Sequence, residues 1–312
     1  DNKYKARIKI LVKQVGVAEF ARQVEQEHAK IKDGPLRLER ADLERFAAFF
    51  APPPYEALAD GDLRLAAGLL AKDRNFARWV EHNVSEHRVP GYAIVALSLK
   101  AHGRPPGDAT ADQMDAVAEL AERYGFGRVV VTHRQNLVLP DVRKKDLRAL
   151  HGELSLLGFA TANVGKLSDI VACPGLDYCD LANARSINVA LDLAERFADL
   201  ERLYDLGGLH LNISGCINAC GHHHVGHIGI LGIDKQGIEH YQLMLGGSSS
   251  DDASLGQVLG RALAEDEIGP AVEEVARAYV ALRSSTQERF LDTLRRVGAE
   301  PFKEAVYGAH PT

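Results

Sequence analysis

The chain has 312 residues, 46% of them hydrophobic, and carries 37 Lys and Arg against 43 Asp and Glu, a formal net charge of −6. That length supports a substantial core and about two domains, and the acidic balance gives a nucleic-acid role no electrostatic footing. No apolar stretch approaches the roughly twenty residues that span a bilayer; the longest strong run is Ala93 to Leu99.

Residues 4 to 31 read as helical, Ile8, Leu11, Val12 and Val15 giving one apolar stripe and Phe20 and Val24 another after a break at Gly16. Gly34-Pro35 and Pro52-Pro53-Pro54 punctuate the following stretch, so residues 32 to about 90 read as a connection with short helices. From Gly91 the pattern becomes strand, helix, strand, helix. Ala93 to Leu99 is the first strand, and Thr110 with Gln113 forms a capping box opening a helix whose Met114, Val117, Ala121 and Tyr124 share a face. Arg128 to Leu139 is the second strand and Val142 to Leu157 the second helix. Beyond these the pattern predicts a helix over Ala182 to Leu200, strands over Leu209 to Ile213 and Ile228 to Ile233, and helix from Leu255 to Val297.

All four cysteines fall in two close pairs, Cys173 with Cys179 and Cys216 with Cys220, each pair among turn residues. Such loops are expected to present thiolates and not to bury them. Disulfides fit poorly, because a disulfide scaffold is short and cysteine-dense. A structural zinc ion wants about two to four residues between paired ligands, and the first pair has five between them. Free structural cysteines would fall singly on apolar faces. An iron-sulfur cluster fits best, since it takes four thiolates at wider separation than one ion does, although the ferredoxin-type cysteine runs are absent. His222, His223, His224 and His227 follow the second pair; they read either as metal ligands or as a polar turn leading into the next strand.

Cys-Pro-Gly-x-x-x-Cys followed by Ser-Gly-Cys-x-Asn-x-Cys-Gly resembles the cluster signature of the sirohaem-dependent sulfite and nitrite reductases. The spacings of five and three, Pro174-Gly175 and Asn218 carry the likeness. It implies that Cys173, Cys179 and Cys216 bind a 4Fe-4S cluster, that Cys220 is the fourth ligand and bridges to the sirohaem iron, and that Asn218 lies against the macrocycle. One of the four histidines is then free to contact the cofactor. The stretch from Thr132 to Leu137 is similar to the family's Thr-x-x-Gln-Asn segment. This makes Arg134, Gln135 and Asn136 candidate sirohaem contacts on a strand edge. Ala6-Arg7-Ile8-Lys9 resembles the segment that gives two basic residues to the anion-binding face. Residues two apart share a face of a strand but not of a helix.

The implied architecture is α+β. A tail of a preceding half with a helical linker occupies 1–85, a ferredoxin-like α/β sandwich 86–165, and a mixed α/β sirohaem- and cluster-binding domain 166–312. Family members are built from two related halves, and one complete copy of the pattern is present, so the chain reads as the C-terminal part of a larger reductase whose other half would supply the anion-binding arginines. The implied reaction is reduction of sulfite to sulfide, the more highly charged anion suiting both Arg7 and Lys9. Reduction of nitrite to ammonia on the same cofactors is the alternative, and a non-catalytic iron-sulfur or zinc module is the reading from another class. No Gly-x-Gly-x-x-Gly follows a strand, which leaves ferredoxin or a separate flavoprotein as electron donor. Reduced thiols and no apolar signal-like run over Asp1 to Arg7 predict a cytoplasmic location.

Overall fold

A glycine interrupts the first helical pattern where the sequence places it. In the computed structural model, which describes residues 7–61 and 73–308 and gives only backbone for 198–204, α1 (Ile8–Val15) and α2 (Val17–Ile31) meet at Gly16. Gly16 has φ of +85°, a conformation open to a residue without Cβ, while its N–H still closes on the Val12 carbonyl at 2.8 Å. Residues 4–6 of the expected helix lie outside the described residues. A short α3 (Arg40–Ala48) completes this N-terminal unit, residues 1–56. None of its three helices buries a residue.

The second unit, from residue 57 onward, contains two sheets. Its first layer begins with α4 (Arg74–Asn83), whose N-cap Asp73 accepts from the Phe76 N–H at 3.1 Å and whose Phe76, Trp79 and Val80 are buried. β1 (Val84–Glu86), β2 (Tyr92–Leu97), β3 (Val130–Val131) and β4 (Leu137–Arg143) make an antiparallel sheet in the order β1-β2-β4-β3. α5 (Ala111–Tyr124) and α6 (Leu147–Leu157) cover it, and Val95, Leu97, Leu139, Leu150 and Leu154 are fully buried between them. Each such side chain contributes about 1.5–3 kcal/mol of transfer free energy. The capping box is formed in both directions, Gln113 N–H to Thr110 Oγ1 at 3.2 Å and Thr110 N–H to Gln113 Oε1 at 2.9 Å.

Three sequence expectations change here. The strand expected over Arg128 to Leu139 is a hairpin, so the Thr132–Asn136 segment is its turn and not a strand edge; the Thr132 N–H closes on the Asn136 carbonyl at 2.9 Å. The following helix begins at Leu147, because Val142 is still paired with Ala93 in the sheet. Met114 is exposed, and the buried face of α5 is Val117, Leu120 and Ala121.

The second sheet has the order β5-β6-β7-β8-β9. It comprises β5 (Val171–Ala172), β6 (Leu211–Ser214), β7 (Ile228–Lys235), β8 (Ile238–Leu245) and β9 (Gln257–Val258), with α7 (Ile187–Tyr204) crossing between β5 and β6. β5, β6 and β7 are parallel, and β7 returns through β8 in an eight-pair hairpin from Ile228↔Leu245 to Lys235↔Ile238. α8 (Glu265–Leu282), α9 (Phe290–Val297) and α10 (Glu300–Tyr307) close the chain around Phe197, Tyr241, Val272, Phe290 and Phe302. The helix expected from Leu255 therefore starts ten residues later, after β9. Among the described residues no helix is long and apolar enough to cross a membrane.

The two sheets are joined through Asp169, a carboxylate with no exposed surface. It accepts from Lys100 Nζ at 3.1 Å, Asn136 Nδ2 at 2.9 Å, Arg134 Nε at 3.3 Å and the Gly165 N–H at 3.0 Å. Burial opposes its ionised form, but Lys100 and Arg134 outweigh that and hold the carboxyl below its ordinary range. Removing one member of a buried pair strands the other charge. Lys100→Met should therefore lower the free energy of unfolding by about 3 kcal/mol in denaturant titrations, whereas cutting an exposed, solvent-screened pair such as Arg123 with Glu153 by Arg123→Met should leave it nearly unchanged.

Candidate metal centre

Two neighbouring parallel strands end side by side, and each runs directly into a cysteine loop. β5 ends at Ala172, opposite Ile213 of β6, so Cys173 and the Gly215-Cys216 segment leave the same edge of the sheet. Carboxyl ends of parallel strands are where open α/β sheets carry their sites, because the loops there diverge from a fixed frame. The ladder continues one step past the strands, the Cys173 N–H donating to the Ile213 carbonyl at 3.1 Å.

The loops then bond to each other. The Gly215 N–H points at Cys173 Sγ at 3.1 Å, and the Gly215 carbonyl accepts from the Asn183 and Ala184 N–H groups at 2.8 and 3.0 Å. A Cβ at position 215 would stand 2.6 Å from the Ala184 carbonyl oxygen and 2.9 Å from the Gly175 Cα, so only glycine lets the backbones approach this closely. The Cys179 N–H closes a turn on the Gly175 carbonyl at 2.9 Å, and Ser186 Oγ lies 3.5 Å from Cys173 Sγ. On the other side, the Ala219 N–H bonds to the Cys216 carbonyl at 3.1 Å. The chain around Cys220 is held from below, Ser214 Oγ accepting from the Gly221 N–H at 3.1 Å and Asn212 Nδ2 donating to the Gly221 carbonyl at 2.9 Å.

All four thiols are free of disulfides. They do not share one exposure, which corrects the expectation that these loops leave every thiol presented: Cys173 and Cys216 are buried at 9% and 7%, Cys179 is half-buried and Cys220 exposed. The inner pair sits where the strands end, and the outer pair where the turns swing outward. Among the described residues no three His, Cys, Asp or Glu side chains converge on one ion-sized point. Asn218 is half-buried in the turn between Cys216 and Cys220.

The histidines divide among three environments. After Cys220 the chain turns back to the start of β7 through a single 3₁₀ turn, His223–Val225. His222 is exposed, His224 is half-buried, and His223 is fully buried against the His224 ring at 3.9 Å. Among the described residues neither ring nitrogen of His223 has a hydrogen-bond partner, and desolvation first, then the neighbouring His224, lowers it to about 4. His227 belongs elsewhere, stacked on His210 at 4.6 Å and 11° where β6 and β7 begin, the edge opposite the cysteines. The His210 N–H donates to His227 Nδ1 at 3.2 Å. Sequence reading missed His210, which lies seventeen positions from His227 and becomes its partner only through strand pairing.

Arg134, Gln135 and Asn136, expected at the cofactor, spend their polar atoms on the protein. Arg134 and Asn136 bond to Asp169, and Asn136 Oδ1 accepts from the Leu99 N–H at 3.1 Å. Gln135 brackets the backbone of Ala172, Nε2 to its carbonyl at 2.7 Å and Oε1 from its N–H at 3.0 Å. Arg7 caps α1 in an extended conformation (φ −108°, ψ 133°) and Lys9 lies in the first helical turn, so the two do not share a strand face. Both belong to the N-terminal unit.

Comparison with known proteins fits this geometry. Residues 97–157 match the nitrite/sulfite reductase ferredoxin-like half domain, and residues 167–310 match the nitrite and sulphite reductase 4Fe-4S domain. The chain belongs to the nitrite and sulfite reductase family. It is 30% identical over 96% of its length to sulfite reductase (ferredoxin) 2 of Mycolicibacterium paratuberculosis, covering 48% of that protein. To the chloroplastic ferredoxin–nitrite reductase of Arabidopsis thaliana it is 29% identical over 62% of its length, covering 33% of that protein. Among solved structures it resembles the NirA protein of Mycobacterium tuberculosis with a TM-score of 0.63 and 26% identity, over 96% of this chain and 50% of the other. The chain thus spans about half the length of the curated sulfite reductases it matches. A 4Fe-4S cluster and sirohaem are the cofactors of this family. The residues present fit them: four free thiols on two loops bonded to one another, and beside the second loop a buried imidazole, His223, with both nitrogens unpartnered among the described residues.

The His210–His227 stack gives a pH dependence. Desolvation first, then Arg134 and each other, lower His210 to about 3; desolvation and Arg134 lower His227 to about 4, with His133, Asp169, Asp252, Arg289 and Arg295 as the further charges facing the pair. Because the folded values lie below the ordinary 6.5, the unfolded chain binds more protons between about pH 6.5 and 4. Stability is therefore full above that range and lost as pH falls through it, by about 2 kcal/mol per histidine from pH 7 to 5. Thermal unfolding followed against pH should show this loss, and His227→Phe should reduce it.

Proposed function

We propose that the chain is the cluster-bearing part of a sulfite reductase. The observation that carries this reading is the pair of cysteine loops bonded together at the ends of two adjacent parallel strands; the sulfite reductase relative at 30% identity supports it. Cys173, Cys179, Cys216 and Cys220 would hold the cluster, with the exposed Cys220 shared with the sirohaem iron and Asn218 against the macrocycle. When bound, the pair supplies single electrons to an oxyanion. The chain's own groups supply the rest. The Gly215 N–H aimed at Cys173 Sγ would tune the sulfur's donor strength toward the metal. The partial burial of Cys173 and Cys216 lowers the local dielectric and makes that single N–H count for more.

Arg7 and Lys9 are the proposed cations of the anion-binding face, and the remaining half of the relatives' length is proposed to supply further ones. Nitrite is the second substrate to test, supported by the likeness to the chloroplastic ferredoxin–nitrite reductases. Ferredoxin, named in those relatives, is the electron donor we propose, and a cytoplasmic location suits four unpaired thiols.

An absorption spectrum with iron, sulfide and zinc assays tests the assignment. Tetrapyrrole bands with about four iron atoms per cluster are expected; bound zinc without colour would instead mean a non-catalytic module. Cys173→Ser should lose or strongly perturb the cluster signal, because oxygen replaces thiolate poorly on iron, and an undisturbed spectrum would remove Cys173 from the ligand set. Sulfite carries more negative charge than nitrite near neutral pH, so Lys9→Met should raise KM for sulfite about tenfold and for nitrite much less. Equal effects on both anions would take Lys9 away from the substrate.

A further inference from the structure

β5 is an edge strand two residues long, and it delivers Cys173. An edge strand leaves one row of N–H and C=O groups without a neighbour, and those groups are costly when buried and unpaired. Ala172 is 5% exposed, and its N–H and carbonyl face away from β6 while those flanking it bond into the ladder, as the Cys173 N–H to the Ile213 carbonyl shows. Where a further strand would stand, the carboxamide of Gln135 accepts from one group at 3.0 Å and donates to the other at 2.7 Å. A primary amide presents N–H donors beside a carbonyl acceptor, and here one N–H and the oxygen of Gln135 meet both backbone groups of Ala172, so the side chain substitutes for a strand.

The turn that carries Gln135 is itself fixed. Gln135 has φ of +57°, an uncommon conformation for a residue with a Cβ, and such a conformation persists when its surroundings hold it. The Gln135 N–H closes on the Thr132 carbonyl at 3.2 Å, and the residues on either side are tied to Asp169, Arg134 through Nε and Asn136 through Nδ2. The turn therefore grips residues 169 to 172 at both ends, immediately before the first cysteine.

We propose that Gln135 is a positioning residue for the cluster, setting the register of β5 and so the place of Cys173 Sγ beneath the Gly215 N–H. This rests on the reading of Cys173 as a cluster ligand. It predicts that the amide, and not the shape of the turn, matters. Gln135→Gly relieves the positive φ and removes the amide; Gln135→Glu keeps the acceptor for the Ala172 N–H and loses the donor.

The holoprotein should show for Gln135→Gly a broadened or shifted electron paramagnetic resonance signal of the reduced cluster, and loss of iron to a chelator accelerated by about tenfold, with Gln135→Glu intermediate. Hydrogen exchange over residues 170–173 of the cluster-free chain, which needs no bound cofactor, should be faster in Gln135→Gly than in the parent. Wild-type spectra and chelation rates in both variants, or unchanged exchange over 170–173, would overturn the proposal. Cys173→Ser run alongside separates the two readings. If it loses the cluster while the Gln135 variants behave as the parent, only the positioning role fails; if it keeps an unperturbed cluster, the ligand assignment fails, and the exchange result still decides whether Gln135 locks the strand.

Discussion

A single buried carboxylate joins the two sheets of the larger unit. Asp169 receives an ammonium, a guanidinium, a side-chain amide and a backbone N–H, and it stands two residues before the two-residue strand that leads into Cys173. Its partners come from the end of the first strand layer, Lys100, and from the β3–β4 turn, Arg134 and Asn136. Burial pulls the Lys100 ammonium down, and Asp169 opposes that pull. Neither charge is tolerable in this interior without the other. Such a joint contributes little net stability compared with apolar packing, but it penalises any other docking of the half-domain on the cluster domain. The resulting alignment is what the thiol loops inherit.

The path from there to the metal centre is short and backbone-driven. Parallel pairing of β5 with β6 puts two loops 42 residues apart at one edge, and the glycine at 215 removes the side chain that would hold them apart. The thiols are spread from a buried inner pair to an exposed outer one, the inner pair where the strands end and the outer pair where the turns swing outward.

Much of this was legible in the sequence, for identifiable reasons. Cys173, Cys179, Cys216 and Cys220 announced themselves because thiols are rare and their spacing is constrained by chemistry. The Thr110–Gln113 capping box and the break at Gly16 were readable because both are local. What escaped was non-local or ambiguous in period. β8, Ile238–Leu245, mixes His240 and Gln242 among apolar residues, so only its eight-residue pairing with β7 reveals it. The apolar run through Val129, Val130 and Val131 joined smoothly to Leu137 in pattern, hiding a hairpin whose turn residues are polar but lack a Gly or Pro. Arg134, Gln135 and Asn136 are hydrogen-bonding groups at a turn, and their bonds to Asp169 and Ala172 could not be read because those partners lie more than thirty residues away. Burial of Cys173 and Cys216 could not be read at all, since it depends on which strand neighbours which.

The crossover through α7 has a consequence for how the thiols become available. Cys173 and Cys216 lie on opposite sides of that helix in the chain, and nothing local draws them together; only closure of the parallel ladder does. Each loop carries two thiols, and the two loops reach one end of the sheet through the pairing of β5 with β6. The connection between the strands thus ties the gathering of the thiols to the fold: what brings the second pair to the first is a long-range backbone ladder and not the chain's local geometry.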